Sequence, residues 1–126
     1  MYRVAVCDDQ KAYLDIIEGK LNRYCSDHKI SIILKLYNDS QLLVEELEEG
    51  KQFDAYILDI EMNKHSGIEV AEIIGNHSAA ACIVFLTAFS NYAIEACGMN
   101  IFRYVLIVDE LAKDTTVAKA YQAWGE

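Results

Sequence analysis

The 126-residue chain contains no proline. It also has no internal repeat and no low-complexity tract, so it offers no linker at which to divide it. A single domain over residues 1–126 is expected. Cysteine is sparse and unpatterned: Cys7, Cys25, Cys82 and Cys97 form no CxxC pair and match no metal-ligand spacing. That removes zinc-ribbon and redox-motif readings and leaves free, buried thiols that pack as small hydrophobes. Long apolar runs are missing too. None approaches the roughly 20 residues of a membrane span, and the N-terminus lacks the charged and apolar regions of a secretory leader. No membrane association and a cytoplasmic location are the expectation. Positive charge is in short supply, with 11 Lys and Arg against 20 Asp and Glu, a net charge of −9. A surface of that sign repels polyanions, so no nucleic acid is expected on this segment. His28, His65 and His77 stand far apart with no HxxxH spacing, and are expected as solvated loop residues.

What is present is a core's worth of apolar residues, 53% of the chain, in short blocks. Tyr2 to Cys7 reads as a strand that runs into Asp8-Asp9. Tyr13, Ile16, Ile17, Leu21 and Tyr24 follow helical spacing and predict a helix from about Gln10 to Asp27. Ile30, Ile32, Leu34 and Leu36 alternate with Ser31 and Lys35, the pattern of a strand with one wetter face at a sheet edge. Asn38-Asp39-Ser40 caps a short helix that Gly50 ends, with Glu45, Glu46, Glu48 and Glu49 as its solvated face.

Ala55-Tyr56-Ile57-Leu58-Asp59-Ile60-Glu61-Met62 is the centre of the chain, a buried strand that stops on a carboxylate. Ser66-Gly67 marks a turn before a helix from Ile68 that ends near Gly75-Asn76. Cys82 to Leu86 is a wholly apolar strand ending on Thr87-Ala88. A helix follows through Cys97, then a strand over Ile101 to Ile107, then a last helix bearing Val117, Ala120, Tyr121 and Trp124. Strand and helix alternate throughout, which calls for an α/β fold: a doubly wound, five-stranded parallel sheet with helices on both faces. Right-handed crossovers favour the order 2-1-3-4-5.

In that order the first and third strands are neighbours, and their carboxyl ends bring Asp8, Asp9 and Asp59 to one crevice, with Thr87 from the fourth strand. Crowded carboxylates repel, and a divalent cation or a raised pKa relieves them. Hard oxygen ligands of this kind suit Mg²⁺, which prefers a phosphate as a further ligand. A carboxylate beside Mg²⁺, with a hydroxyl to hold an oxyanion, suits phosphoryl chemistry at the carboxylate itself.

Taken together, Cys7-Asp8-Asp9, Tyr56-Ile57-Leu58-Asp59-Ile60-Glu61-Met62, Gly67 eight residues after Asp59, Phe85-Leu86-Thr87-Ala88 and Tyr104 resemble the receiver domain of bacterial two-component response regulators. The resemblance covers essentially the whole chain. Tyr92-Ala93-Ile94-Glu95-Ala96 and Asn100-Ile101-Phe102-Arg103-Tyr104 look most like regulators that carry a LytTR-type DNA-binding domain. The resemblance implies a flavodoxin-like fold and a phosphoaccepting switch with no external substrate. It makes Asp59 the phosphoacceptor and a sensor histidine kinase the donor. Asp8, Asp9, Asp59 and the Glu61 carbonyl would hold Mg²⁺, with Asp9 a direct ligand and Asp8 acting through water. Thr87 and Tyr104 would form the switch. It further implies a homodimer through the fourth and fifth helices, and a following DNA-binding domain that would carry any contact with DNA.

Two positions depart from the family pattern. Ile107 stands where the family has a lysine, and Asn63 stands where many members have proline. The loss of the lysine opens a second reading, an interaction module with weak or absent phosphorylation-dependent switching. A third, a small-molecule enzyme or flavodoxin-like cofactor binder, meets the absence of a glycine-rich loop after the first strand.

Overall fold

Short β-branched and aromatic runs separated by helical spacing produce alternating elements. These are β1 (Tyr2–Cys7), α1 (Lys11–Asp27), β2 (Ile32–Tyr37), α2 (Ser40–Glu48), β3 (Ala55–Leu58), α3 (Gly67–His77), β4 (Cys82–Thr87) and β5 (Arg103–Leu106). The computed structural model describes residues 2–60, 62, 64–77, 82–87 and 103–106, with 86, 87 and 103–106 described by backbone alone. The five strands form one sheet in the order β2-β1-β3-β4-β5, and every pairing is parallel. This is the expected doubly wound order. The expected fourth and fifth helices, Cys97, Tyr121, Trp124, Glu61 and Ile107 lie outside the described residues.

Side chains of a strand alternate between its faces, and the central strands use both. Val4, Val6, Ile57 and Val84 point to one face, against Leu14, Ile17 and Leu21 of α1. Ala5, Cys7, Tyr56, Leu58, Ile83 and Phe85 point to the other, against Leu43, Val44 and Leu47 of α2 and Val70, Ala71 and Ile74 of α3. Each fully buried Leu, Ile or Phe in these layers contributes about 1.5–3 kcal/mol of transfer free energy. Cys7, Cys25 and Cys82 are free, buried thiols, as expected from their context.

Several local expectations shift. The seam of α1 is Leu14, Ile17, Leu21 and Cys25, while Tyr13 and Ile16 are 38% and 39% exposed. The apolar positions of α1 cover more than one face, and only the seam facing the sheet is buried. β3 ends at Leu58, directly before Asp59, the carboxylate expected to stop it, and the Ile60 carbonyl accepts a loop hydrogen bond from Gly67 instead of continuing a ladder. α3 runs through Gly75 to His77; Gly75 sits in open space inside the helix rather than ending it. Gly50, at φ +96°, closes α2 as expected, since only glycine adopts that conformation without a Cβ penalty.

Among the glutamates of α2, Glu46 is not merely solvated. It accepts from the Tyr37 hydroxyl at 2.6 Å and from Lys35 at 2.9 Å, and pairs with Lys51 at 3.3 Å. These bonds, the tyrosine's foremost, hold its carboxyl down at about 2. His28 is exposed in the turn after α1, as expected, and stacks on Tyr24; His65 is half-buried with partners described below, and His77 is exposed but ends α3 rather than lying in a loop. No helix among the described residues is long and apolar enough to cross a membrane.

Candidate functional site

The chain reverses its winding direction at β1, whose two neighbours are β2 and β3. The carboxyl ends of these strands are held level by ladder extensions: Asp8 N–H donates to the Tyr37 carbonyl at 3.1 Å, and Asp59 N–H to the Cys7 carbonyl at 3.1 Å. α1 then leaves toward one face and α3 toward the other. The connections diverge, and the crevice between them holds the acids, as is usual at such a switch point.

Asp8, Asp9 and Asp59 converge there, each offering a carboxylate oxygen, with those atoms all within 4.8 Å of one another. Asp8 is buried, while Asp9 and Asp59 are half-buried. Local bonds aim two of them. Asp8 Oδ1 accepts from Gln10 N–H at 2.9 Å, turning the chain into α1, and Asp59 Oδ1 accepts from Ile60 N–H at 2.8 Å. Burial, followed by the charge of Asp9, pushes the Asp8 carboxyl up to about 6, against the lowering effect of the Gln10 N–H. Cys7 registers the same field: burial and then the charges of Asp8, Asp39, Asp9 and Asp59 push its thiol up to about 12. It is therefore no nucleophile at neutral pH; its Sγ lies 3.6 Å from Met62 Sδ.

The donor set fits a hard divalent cation. Three carboxylates gather in one crevice, one of them removed from water, and a dication supplies the opposite charge that such a group requires. Thr87 closes β4, two residues beyond the Phe85 that pairs with Leu58, so its backbone stands at the same edge. Tyr104 pairs with Phe85 from β5. Their side chains, Glu61 and Ile107 lie outside what the structure describes.

The loop from Asp59 to α3 is closed at its base by Gly67, whose N–H donates to the Ile60 carbonyl at 2.7 Å. A Cβ at Gly67 would overlap the Asp59 carbonyl oxygen and lie 2.9 Å from Ile60 Cα. Gly67 is thus required by close approach of backbone rather than as a turn residue. At its tip the loop is bonded to α2. Lys64 Nζ donates to Asp39 Oδ2 at 3.1 Å, and His65 N–H to Ser40 Oγ at 3.2 Å. The sequence gives no local sign of this, since the partners in both pairs lie 25 residues apart.

Comparison with known proteins agrees with this geometry. A family model described as the response regulator receiver domain matches residues 4–114. The chain is similar to the transcriptional regulatory protein NatR of Bacillus subtilis, 27% identical over 106 residues, covering 84% of this chain and 43% of that protein. It is similar to the sensory transduction protein LytT of Bacillus cereus, 30% identical over 108 residues, covering 84% of this chain and 41% of that one. The chain thus spans about two fifths of the length of these curated relatives. Among solved structures, the response regulator TrrA of Thermotoga maritima, in complex with Mg²⁺-BeF, superposes with a TM-score of 0.73 at 26% identity, covering 92% of this chain and 97% of that one.

Proposed function

The chain belongs to the response regulator receiver domain family, and on that premise we propose that it accepts a phosphoryl group on Asp59. The convergence of Asp8, Asp9 and Asp59 within 4.8 Å at the carboxyl edge carries the reading. An Asp59 carboxylate oxygen attacks phosphorus, a P–O bond to the carboxylate forms, and the P–N bond to the donor's imidazole breaks. The imidazole leaves as a neutral ring after taking up a proton. The product is an acyl phosphate, and no external substrate is turned over.

Asp8, Asp9, Asp59 and the Glu61 carbonyl are the ligands proposed for Mg²⁺, which supplies positive charge to offset that of the phosphoryl oxygens. The magnesium complex of TrrA supports that choice. The chain's own residues fix the geometry. The ladder bond to Cys7 and the bond from Ile60 N–H orient the Asp59 carboxylate for attack. Thr87, at the same edge, is assigned the hydrogen bond to the phosphoryl group, and Tyr104 the readout of its presence.

A sensor histidine kinase is the proposed donor, and the cytoplasm the proposed location. The output is proposed to be transcriptional, through a LytTR-type DNA-binding domain in the longer protein, as the regulator NatR and the length of the relatives suggest. A homodimer through the fourth and fifth helices would serve that output. The test is incubation with acetyl phosphate and Mg²⁺ followed by intact-mass measurement. The native chain should gain one phosphoryl mass and Asp59→Asn none. Equal labelling of the two would reject Asp59.

A further inference from the structure

Two consecutive residues at the tip of the loop after Asp59 bind three consecutive residues at the start of α2. Lys64 Nζ meets Asp39 Oδ2 at 3.1 Å, His65 N–H meets Ser40 Oγ at 3.2 Å, and His65 Nε2 lies 2.8 Å from Gln41 Oε1. Ser40 is 1% exposed, so its oxygen is a fixed anchor. Lys64 sits at φ +66°, in the left-handed region that a non-glycine residue occupies only where its surroundings hold it. The Lys64 ammonium, and then the Gln41 N–H, keep the Asp39 carboxyl below the usual carboxylate range. We propose that Lys64 and His65 form a latch that fastens the Asp59 loop to the start of α2, and that this latch positions Asp59 for phosphoryl uptake.

Two observations place the latch where it can act on the site. Its far end belongs to the connection that leaves β2 at Tyr37, and the Tyr37 carbonyl holds Asp8 N–H at 3.1 Å. Its near end belongs to the loop that begins at Asp59 and closes at Gly67. The latch therefore joins the connection beside Asp8 to the loop that carries Asp59. A contact at the loop tip fixes the loop's arrangement far more than it stabilises the fold, because Lys64 and Asp39 are 58% and 43% exposed and such pairs add little to global stability. Lys64 and His65 are positioning residues; neither touches the phosphoryl group. The same bonds give α2 a route by which to sense the loop.

The proposal rests on Asp59 being the phosphoacceptor, and the test separates the two. The initial rate of phosphoryl uptake from acetyl phosphate, with saturating Mg²⁺, is measured against donor concentration for the native chain and for Lys64→Asn, Asp39→Asn and Lys64→Arg. Asparagine tolerates the left-handed backbone at position 64 and can keep the cap bond to Gln41 N–H at position 39. Each of these two variants removes the charge pair while sparing the backbone. Each should lower the maximal rate about two- to fivefold with the half-saturating donor concentration and melting temperature unchanged. Lys64→Arg should restore the rate, and the Lys64→Asn/Asp39→Asn double variant should be no slower than either single, because both delete one interaction. Native maximal rates in both asparagine variants, or losses that multiply in the double variant, would overturn the latch. Absence of labelling in the native chain would overturn the Asp59 assignment itself, and the latch with it.

Discussion

The α-carbon of Gly67 rests so closely on the Asp59 carbonyl that any side chain at 67 would collide with the backbone of the proposed phosphoacceptor. The Gly67 N–H bond to Ile60 keeps this contact closed. A β-carbon there must move backbone, which is the costly kind of overpacking. Gly67→Ala should therefore lose about 1–3 kcal/mol of unfolding free energy in urea melts and label at Asp59 more slowly than the native chain. Native stability in the alanine variant would show that the contact is loose.

Metal binding is the second expectation. Titration of Mg²⁺ into the native chain should show weak binding, and Asp9→Asn should show much less, since each carboxylate removed takes away a ligand and a charge. Equal heats from both proteins would remove Asp9 from the metal site.

The pH dependence of the metal-free fold follows from Asp8. Its carboxyl is raised from 3.8 to about 6 in the folded chain, by burial first. Between those values the folded state holds a proton that the unfolded state releases, so stability falls as pH rises through the window and stays lowered above it. The cost at neutral pH is about 2–3 kcal/mol. In EDTA the melting temperature should climb on acidification from pH 7 toward pH 4. Asp8→Asn should lack this slope, and saturating Mg²⁺ should flatten it in the native chain. An unchanged slope in Asp8→Asn would assign the effect elsewhere.

Glu46 predicts the opposite slope. Its carboxyl is lowered from 4.5 to about 2 by Tyr37, Lys35 and Lys51, so its contribution is complete above the unfolded value and is lost as pH falls through the lower one. Glu46→Ala leaves the hydroxyl of the buried Tyr37 without its 2.6 Å partner and should cost about 1–3 kcal/mol at pH 7. A thermal melt within error of the native chain would show that water replaces the carboxylate.

Ile107 is expected to bear on output rather than on uptake. On the proposed function, labelling of Asp59 would depend on the acids and on Mg²⁺, so the native chain should be phosphorylated, but with a weak shift of the Tyr104 region in amide spectra. Ile107→Lys should strengthen that shift at similar labelling. A strong shift in the native chain and none gained by the lysine would mean that this output does not need the ammonium.

Strand order, the two-faced burial of β3 and β4 and the meeting of Asp8, Asp9 and Asp59 were all legible in the linear chain. They follow from rules that act along it: an apolar run sets a central strand, alternating periods set the layers, and a right-handed crossover leaves one sensible order. The buried seam of α1 was not legible, because Tyr13 and Ile16 share its helical spacing and only the sheet decides which apolar face is covered. Nor were Tyr37–Glu46, Lys64–Asp39 and Gly67–Asp59. Composition and periodicity carry information about neighbours along the chain and about the faces of an element. A hydrogen bond, an ion pair or a carbonyl under a glycine depends on distances between elements, and those exist only once the layers have packed. The sequence by itself determined which acids would meet; only the tertiary structure decided which neighbours hold them in place.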